Sequence, residues 1–304
     1  MTRSRFRARR GFSVIEIITS LVIVAILGVA MTKLILGQAR GFQFDNGGRK
    51  ARAAARSAMN IIITDLRMGQ DANSIEYIDP TNNRRIDVRV PLVFGIVCEV
   101  NPTNAVLALV PVDSFQMAAA KYGGYAVRIA ATGNYSYSAS GASDTIQTAA
   151  VSRCHGGPNI WADTVTASGR SGRVVTVSPA PPAGTVVGAP AFVYHTVAYY
   201  FSNSAAYPGA YGLYRYIRGR GNTDLTSEEL MAPFASSARF AYYTNPSQPL
   251  DRPTLTAPAT TAYNTIRGFQ IQLPAVSPDT VPGRTTPRKA TATTAVFFKN
   301  TRSQ

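Results

Sequence analysis

An α+β protein is expected from the 304-residue sequence: a long N-terminal helix, apolar in its first half and amphipathic in its second, packed on a β-rich antiparallel head. Three observations predict it. Residues 12–37 read FSVIEIITSLVIVAILGVAMTKLILG, an apolar run of helical length. Within residues 38–70, Ala51, Ala54, Ala55, Ala58, Met59, Ile62 and Leu66 recur at spacings of 3, 4 and 7, which places them on one narrow helix face. Beyond residue 70, short stretches alternate with period two between segments rich in Pro, Gly, Ser and Thr. With 15 Tyr, 13 Phe, 19 Pro and 24 Gly, the composition suits sheet and loop better than a helical bundle.

The first element is the apolar run. As a helix, its 26 residues would extend ~39 Å, enough to cross a bilayer. Arg3, Arg5, Arg7, Arg9 and Arg10 precede it without an opposing acid. They account for five of the formal +15 and favour retention of the amino end in the cytoplasm. A secretory signal cleaved after its apolar run needs a small-x-small site, and GVAMTK offers a poor one. A plain signal anchor leaves Glu16 without a reason, because a charge deep in a membrane helix costs ~2.5–3.5 kcal/mol on the lenient scale. A positive charge at the same depth would offset that cost. Scission between Gly11 and Phe12 would create one: the new ammonium on Phe12 stands four residues before Glu16, on the same face. It could meet Glu16 of its own chain or of a neighbour.

The stretch RRG-FSVIEIITSLVIVAIL resembles the class III signal of type IV prepilins and type II secretion pseudopilins: a short basic leader, Gly, Phe, an apolar run, and Glu as the fifth residue after the cut. The resemblance implies a leader 1–11 removed by a prepilin peptidase acting at Gly11 and Phe12, N-methylation of Phe12, and a subunit-docking role for Glu16. It also implies an inner-membrane single-pass precursor with its head outside the cytoplasm, joining other pilins or pseudopilins through the N-terminal helix. Unlike many major pilins, the chain has no proline before Pro80.

Residues 38–70 follow as the amphipathic half of the helix. Their small apolar stripe is expected to dock on the chain's own sheet. Arg49, Arg52, Arg56 and Arg67 lie on other faces, read as solvated; a nucleic-acid contact there has weak support. Gly37, Gly41, Gly47 and Gly48 predict a bend or break near 41–48, since glycine costs ~1 kcal/mol per helical position. The stretch ARSAMNIIITDLRMG resembles the same join in PilW-type minor pilins and J-type pseudopilins.

The head, residues 71–304, is expected to hold strands at 86–100, 105–112, 124–131, 173–178, 190–201, 211–218, 237–244, 266–273 and 293–299. In LYRYI, Leu213, Arg215 and Ile217 face one way, Tyr214 and Tyr216 the other. Thr226 three residues before Glu229 suggests a capped helical turn in TSEELMAPF. Residues 132–145, 179–190, 245–264 and 274–292 read as loops. The order of segments in the C-terminal half again resembles PilW-like and J-type proteins.

No active site emerges from the motifs, so a non-enzymatic protein without cofactor is expected. His155 and His195 with Cys98 and Cys154 do not make a zinc set, since three or four suitably spaced ligands are required. Neither a phosphate-binding glycine loop nor a nucleophile elbow is present, and RGRGN at 218–222 reads as a turn. Cys98 and Cys154 could form a disulfide, worth ~4 kcal/mol in the chain-entropy model, but spacing alone leaves the pairing open. Trp161 and the tyrosines are read as core packing in preference to a stacking surface for sugar or bases. Two function classes remain: a minor pilin or pseudopilin for motility, adhesion, DNA uptake or type II secretion, and a membrane-anchored binding protein or enzyme that does not polymerise.

Overall fold

The structure, a computed structural model, describes residues 13–109, 123–138, 145–148, 173–218, 227–244, 253–256, 260–278 and 286–298. Its first element is one unbroken 55-residue helix, α1 (Val14–Met68). The bend expected near 41–48 is absent. The glycines there serve a contact instead. A Cβ on Gly47 would stand 3.0 Å from Cβ of Ser277, and one on Gly48 would stand 2.9 Å from Nε of Arg288. With Phe44 and Asp45, which Arg288 also contacts, these two residues are where the helix first meets the head, and the helical hydrogen bonds run through them undisturbed.

Further along, the small-residue stripe docks on the sheet as expected. Ala51, Ala55, Ala58, Met59, Ile62 and Leu66 are all buried, while Ala54 is half-buried at the stripe's margin. Alanine on the inner face lets the helix axis lie close to the strands. Ile62 and Leu66 then fill the core, each contributing ~1.5–3 kcal/mol by burial. The helix stops at Gly69, where a Cβ would meet Oγ of Ser74 at 2.9 Å and the Phe298 ring at 3.1 Å.

The described head is one antiparallel sheet of thirteen strands. They are β1 (Ile75–Ile78), β2 (Arg85–Val100), β3 (Ala105–Leu109), β4 (Gly124–Arg128), β5 (Tyr135–Tyr137), β6 (Thr145–Thr148), β7 (Arg173–Ser178), β8 (Pro190–Asn203), β9 (Tyr211–Arg218), β10 (Glu228–Phe234), β11 (Arg239–Tyr243), β12 (Gly268–Val276) and β13 (Lys289–Phe297). The order is β11-β12-β10-β9-β8-β2-β3-β7-β6; β1 adds to β2, β13 to β12, and the β4–β5 hairpin to β8. An α+β architecture of long helix and antiparallel sheet is therefore present.

The spine is the pair β2–β8. Before Pro91, Ile86, Val88 and Val90 lie opposite Tyr199, Val197 and His195; after it, Val93 and Gly95 lie opposite Val193 and Ala191. The register shift between Pro91 and Val93 inserts one residue, so core-facing positions change from even to odd numbers. Pro91 falls between the stretch that pairs with β1 and the stretch that pairs with β3. Below the shift the sheet buries its apolar face under α1, around Tyr199, Phe234, Phe240, Phe269 and Ile271. Beyond it a second core forms without the helix, from Val93, Val97, Leu107, Tyr125, Val127, Val175 and Val193.

Three expectations need correction. Residues 228–234 are a strand, β10, not a helical turn: Glu228, Glu229, Met231 and Phe234 pair with β9, and the Glu229 carboxylate accepts from Oγ of Ser204 (2.5 Å) and N of Ala205 (3.0 Å). β1 and β5 occupy stretches of four and three residues, too short for alternation to register. β13 begins at Lys289, inside a presumed loop, because its Ala-Thr repeat pairs residue for residue with β12.

Ile62→Ala is expected to lower unfolding free energy by ~2–5 kcal/mol, whereas Arg52→Ala, on the exposed face, stays within ~0.5 kcal/mol. Urea titration of the full chain in detergent measures both.

Candidate functional site

Residues 13–43 of the chain touch nothing else in the described molecule: every one is exposed. The 30 helical residues from Val14 to Gln43 form a bare rod ~45 Å long. Val14, Ile15, Ile17, Ile18, Leu21, Val22, Ile23, Val24, Ile26 and Leu27 are each about half or more exposed. Such a surface is costly in water and suits hydrocarbon. The helix is long and apolar enough to cross a membrane, and none of its most apolar window is buried in the head.

The hydroxyls of Thr19, Ser20 and Thr32 on this rod are satisfied locally. Thr19 donates to the carbonyls of Ile15 (3.0 Å) and Glu16 (3.1 Å), Ser20 to Glu16 (2.5 Å), and Thr32 to Gly28 (2.8 Å). Each hydroxyl therefore brings no unmet hydrogen bond into an apolar medium.

Glu16 is the one charged residue between positions 13 and 32. It stands in the first turn, where the helix dipole favours an anion by ~0.3–1 kcal/mol. That is a fraction of the ~2.5–3.5 kcal/mol that burying the charge in lipid costs. Among the described residues no cation pairs with it. The next basic residue along the helix, Lys33, is ~25 Å away along the axis. Gly11 and Phe12, the expected cleavage position, lie outside the described residues.

At its other end the helix is held by a polar cluster on the same sheet face as the core. Tyr199 Oη donates to Oδ2 of Asp65 at 2.6 Å, and the Arg215 guanidinium approaches the same oxygen at 3.1 Å. Burial, with Asp65 beside it, pushes the Tyr199 hydroxyl above its ordinary range. His195 is half-buried next to this group, with its Nε2 unpartnered. Burial lowers its pKa to about 4, against the pull of Asp65 and with the push of Arg215. Asp65 was not foreseen as a contact residue. Its position seven after Ala58 and three after Ile62 puts it at the stripe's edge, which is the signal the sequence holds.

The opposite sheet face carries a second network. Arg85 grips Asp87 through two bonds of 2.8 and 2.7 Å, and Arg218 lies 3.6 Å from the same carboxylate. Glu76 accepts from Thr196 (2.5 Å), with Arg218 and Arg89 at 3.4 and 3.9 Å. Arg85 stacks between Tyr77 and Tyr216, and Arg89 lies over Tyr137 and Tyr194. The network joins β1, β2, β8 and β9, and three arginines answer two carboxylates. It ties four strands together across one face of the sheet.

A third tie fixes the helix end: the buried Asp71 accepts from the Tyr135 amide at 2.8 Å, and Arg89 donates to the Asn73 carbonyl at 2.9 Å. Cys98 is buried and disulfide-bonded. Cys154, His155, Trp161 and Thr226 lie outside the described residues. Among the described residues, no three metal-ligating side chains gather. No family model, curated protein or solved structure matches the chain.

The lowered pKa of His195 has a sign. The unfolded imidazole titrates near 6.5 and the folded one near 4, so the folded state resists protonation. Its contribution to stability is complete above about pH 6.5 and is lost as pH falls toward about 4. Wild type is expected to lose stability relative to His195→Gln across that interval, with parallel curves above it. Chemical denaturation at pH 4.5, 5.5 and 7.5 measures the difference.

Proposed function

We propose that the chain is a pilin-like subunit, a minor pilin or pseudopilin, acting at the initiation site or tip of a type IV pilus-like filament. The observation that carries this reading is Glu16: a carboxylate on a bare apolar rod, with no described cation to meet it. An ammonium at Phe12, released when a prepilin peptidase severs Gly11 from Phe12, supplies the missing charge. On the bare rod, Glu16 is costly in lipid and unanswered. Packed among other subunits, it meets the ammonium of its own or a neighbouring chain, and the pair sets axial register. N-methylation of Phe12 keeps that nitrogen cationic.

The division of the helix supports the same reading. Its first 30 residues are free for lipid or for other helices, and the rest is built into the head. Before assembly the rod rests in the inner membrane with the head on the extracytoplasmic side. During assembly other pilins replace lipid around it. The head is large, which suits an end position where neighbours are fewer. Type II secretion uses the same mechanics, and this reading extends to a pseudopilus. The network of arginines and carboxylates plays a structural part here and no catalytic one, and the function needs no cofactor.

Mass spectrometry of the native chain is expected to find N-methyl-phenylalanine at Phe12 as the first residue. A chain that keeps residues 1–11 in its working state would instead fit a membrane-anchored binding protein or enzyme that never polymerises. Glu16→Ala is expected to leave cleavage intact. It removes the lipid-phase cost and the assembled pair together, so incorporation into filaments should fall roughly tenfold or more. Quantitative immunoblotting of sheared filaments against membranes reads this ratio.

A further inference from the structure

β13 is an outer strand of the sheet. It pairs with β12 over nine consecutive residues, Lys289 to Phe297, without a register shift. The direction of its backbone groups follows from the bonds at its two ends. Phe298 N donates to the Arg267 carbonyl at 3.0 Å, and the Arg288 carbonyl accepts from Ser277 N at 2.7 Å. Residues 288 and 298 therefore turn both main-chain groups toward β12, and so does every even residue between them. Lys289, Thr291, Thr293, Ala295 and Phe297 turn theirs outward. Among the described residues nothing bonds these five N–H and five C=O groups, and all five residues are exposed.

Natural sheets protect such an edge with proline, a bulge, inward charge or a short strand. The centre of β13, Ala290-Thr-Ala-Thr-Thr-Ala-Val296, has none of these. Its exposed side chains Thr291, Thr293 and Ala295 are small and leave the edge open. The other outer strands differ. β1, β5 and β6 have four, three and four residues, and β11 is bridged on its outer side by Thr254.

The direction of β13 narrows what can occupy it. Its start lies against the helix at Gly48, beside Arg288, and its end lies at Gly69, beside Phe298. The ten steps from residue 288 to 298 extend ~33 Å as a strand, and the 21 steps from 48 to 69 extend ~32 Å as a helix. β13 and α1 therefore run side by side in the same direction. Two copies joined by antiparallel β13 strands would point their apolar rods opposite ways, which a shared membrane or filament forbids. A two-fold axis along the strands would keep the rods parallel, but it sets equal-numbered groups face to face, N–H against N–H.

We propose that the outer edge of β13 is a strand-addition site for a neighbouring subunit of different sequence, whose extended segment continues the sheet alongside α1. The exclusion of a second copy of this chain rests on the filament reading. Recognition is by main chain, and the small side chains of β13 leave room for bulky apolar residues on the incoming strand.

The test uses the full tagged chain, recovered from detergent-solubilised membranes with its bound subunits and compared with the same chain alone. A photo-reactive residue in place of Val24 reports helix contact with another chain, and hydrogen exchange reports single amides. The amides of Thr291, Thr293 and Ala295 are expected to slow by at least about tenfold in the complex, while those of Ala292 and Thr294 are slow in both states. Thr293→Pro removes an outward N–H and spares the β12 ladder. It should keep the thermal midpoint of the wild type yet retain less than about a tenth of the bound partner. Ala295→Lys should act in the same direction. Cross-linking from position 24 without slowing at 291–295 overturns the proposal and leaves the filament reading standing. Absence of cross-linking to any other chain removes the filament reading and this inference together. Slowing that appears in the chain alone as its concentration rises shows self-pairing and overturns the partner of different sequence.

Discussion

The close approach of a small-residue helix face to a sheet underlies the whole arrangement. Ala51, Ala55 and Ala58 hold the rod near the strands, so Ile62 and Leu66 reach the ring cluster of Phe234, Phe240 and Phe269. That contact is strong enough to secure one half of a 55-residue helix while the other half remains bare. The boundary is sharp. Gln43 is exposed, Phe44 half-buried beneath the Arg288 guanidinium, and Gly48 buried. A single element thus faces two media, and its side chains change character within about one turn.

The sheet is larger than the helix can cover. β2 and β8 continue past the helix end, and the one-residue shift after Pro91 keeps their apolar side chains facing the same way as the spine passes into the second core. Polar ties concentrate where the two regions meet. Asp71 and Asn73 tie the helix end to β5, while Arg89 links that turn to the spine. The arginine–carboxylate–tyrosine network then covers the outer face of the same strands. Cooperation between apolar and polar contacts at this junction is what lets one sheet serve two cores.

Legibility followed the range of the forces involved. The alanine stripe was plain because helical periodicity is local, and Glu16 stood out because a charge in an apolar run is an anomaly by itself. The glycines at 47 and 48 show the limit of propensity, which describes a residue alone: their reason is the side chains of Ser277 and Arg288, distant in sequence and lying at the ends of β12 and β13. Glu228-Glu-Leu-Met has the composition of a helix, yet β9 offers it a ladder and Ser204 and Ala205 bind its acid. The bond between Tyr199 and Asp65 joins positions 134 apart, and nothing near either one announces it. β13 went partly unread because an Ala-Thr repeat carries no hydrophobic alternation. The cleavage position at Gly11 and Phe12 falls outside the described residues, so the structure adds nothing to its reading.

An uninterrupted helix also has a mechanical effect. With no joint between the bare rod and the head, the molecule moves as one stiff lever ~82 Å long. If the bare half leans by the ~20° common for single spans, the far tip of the helix is carried sideways by about 28 Å. With the bare half in a bilayer, small tilts away from the membrane normal would become large sweeps of the head, and whatever captured the head would set the lean of the rod.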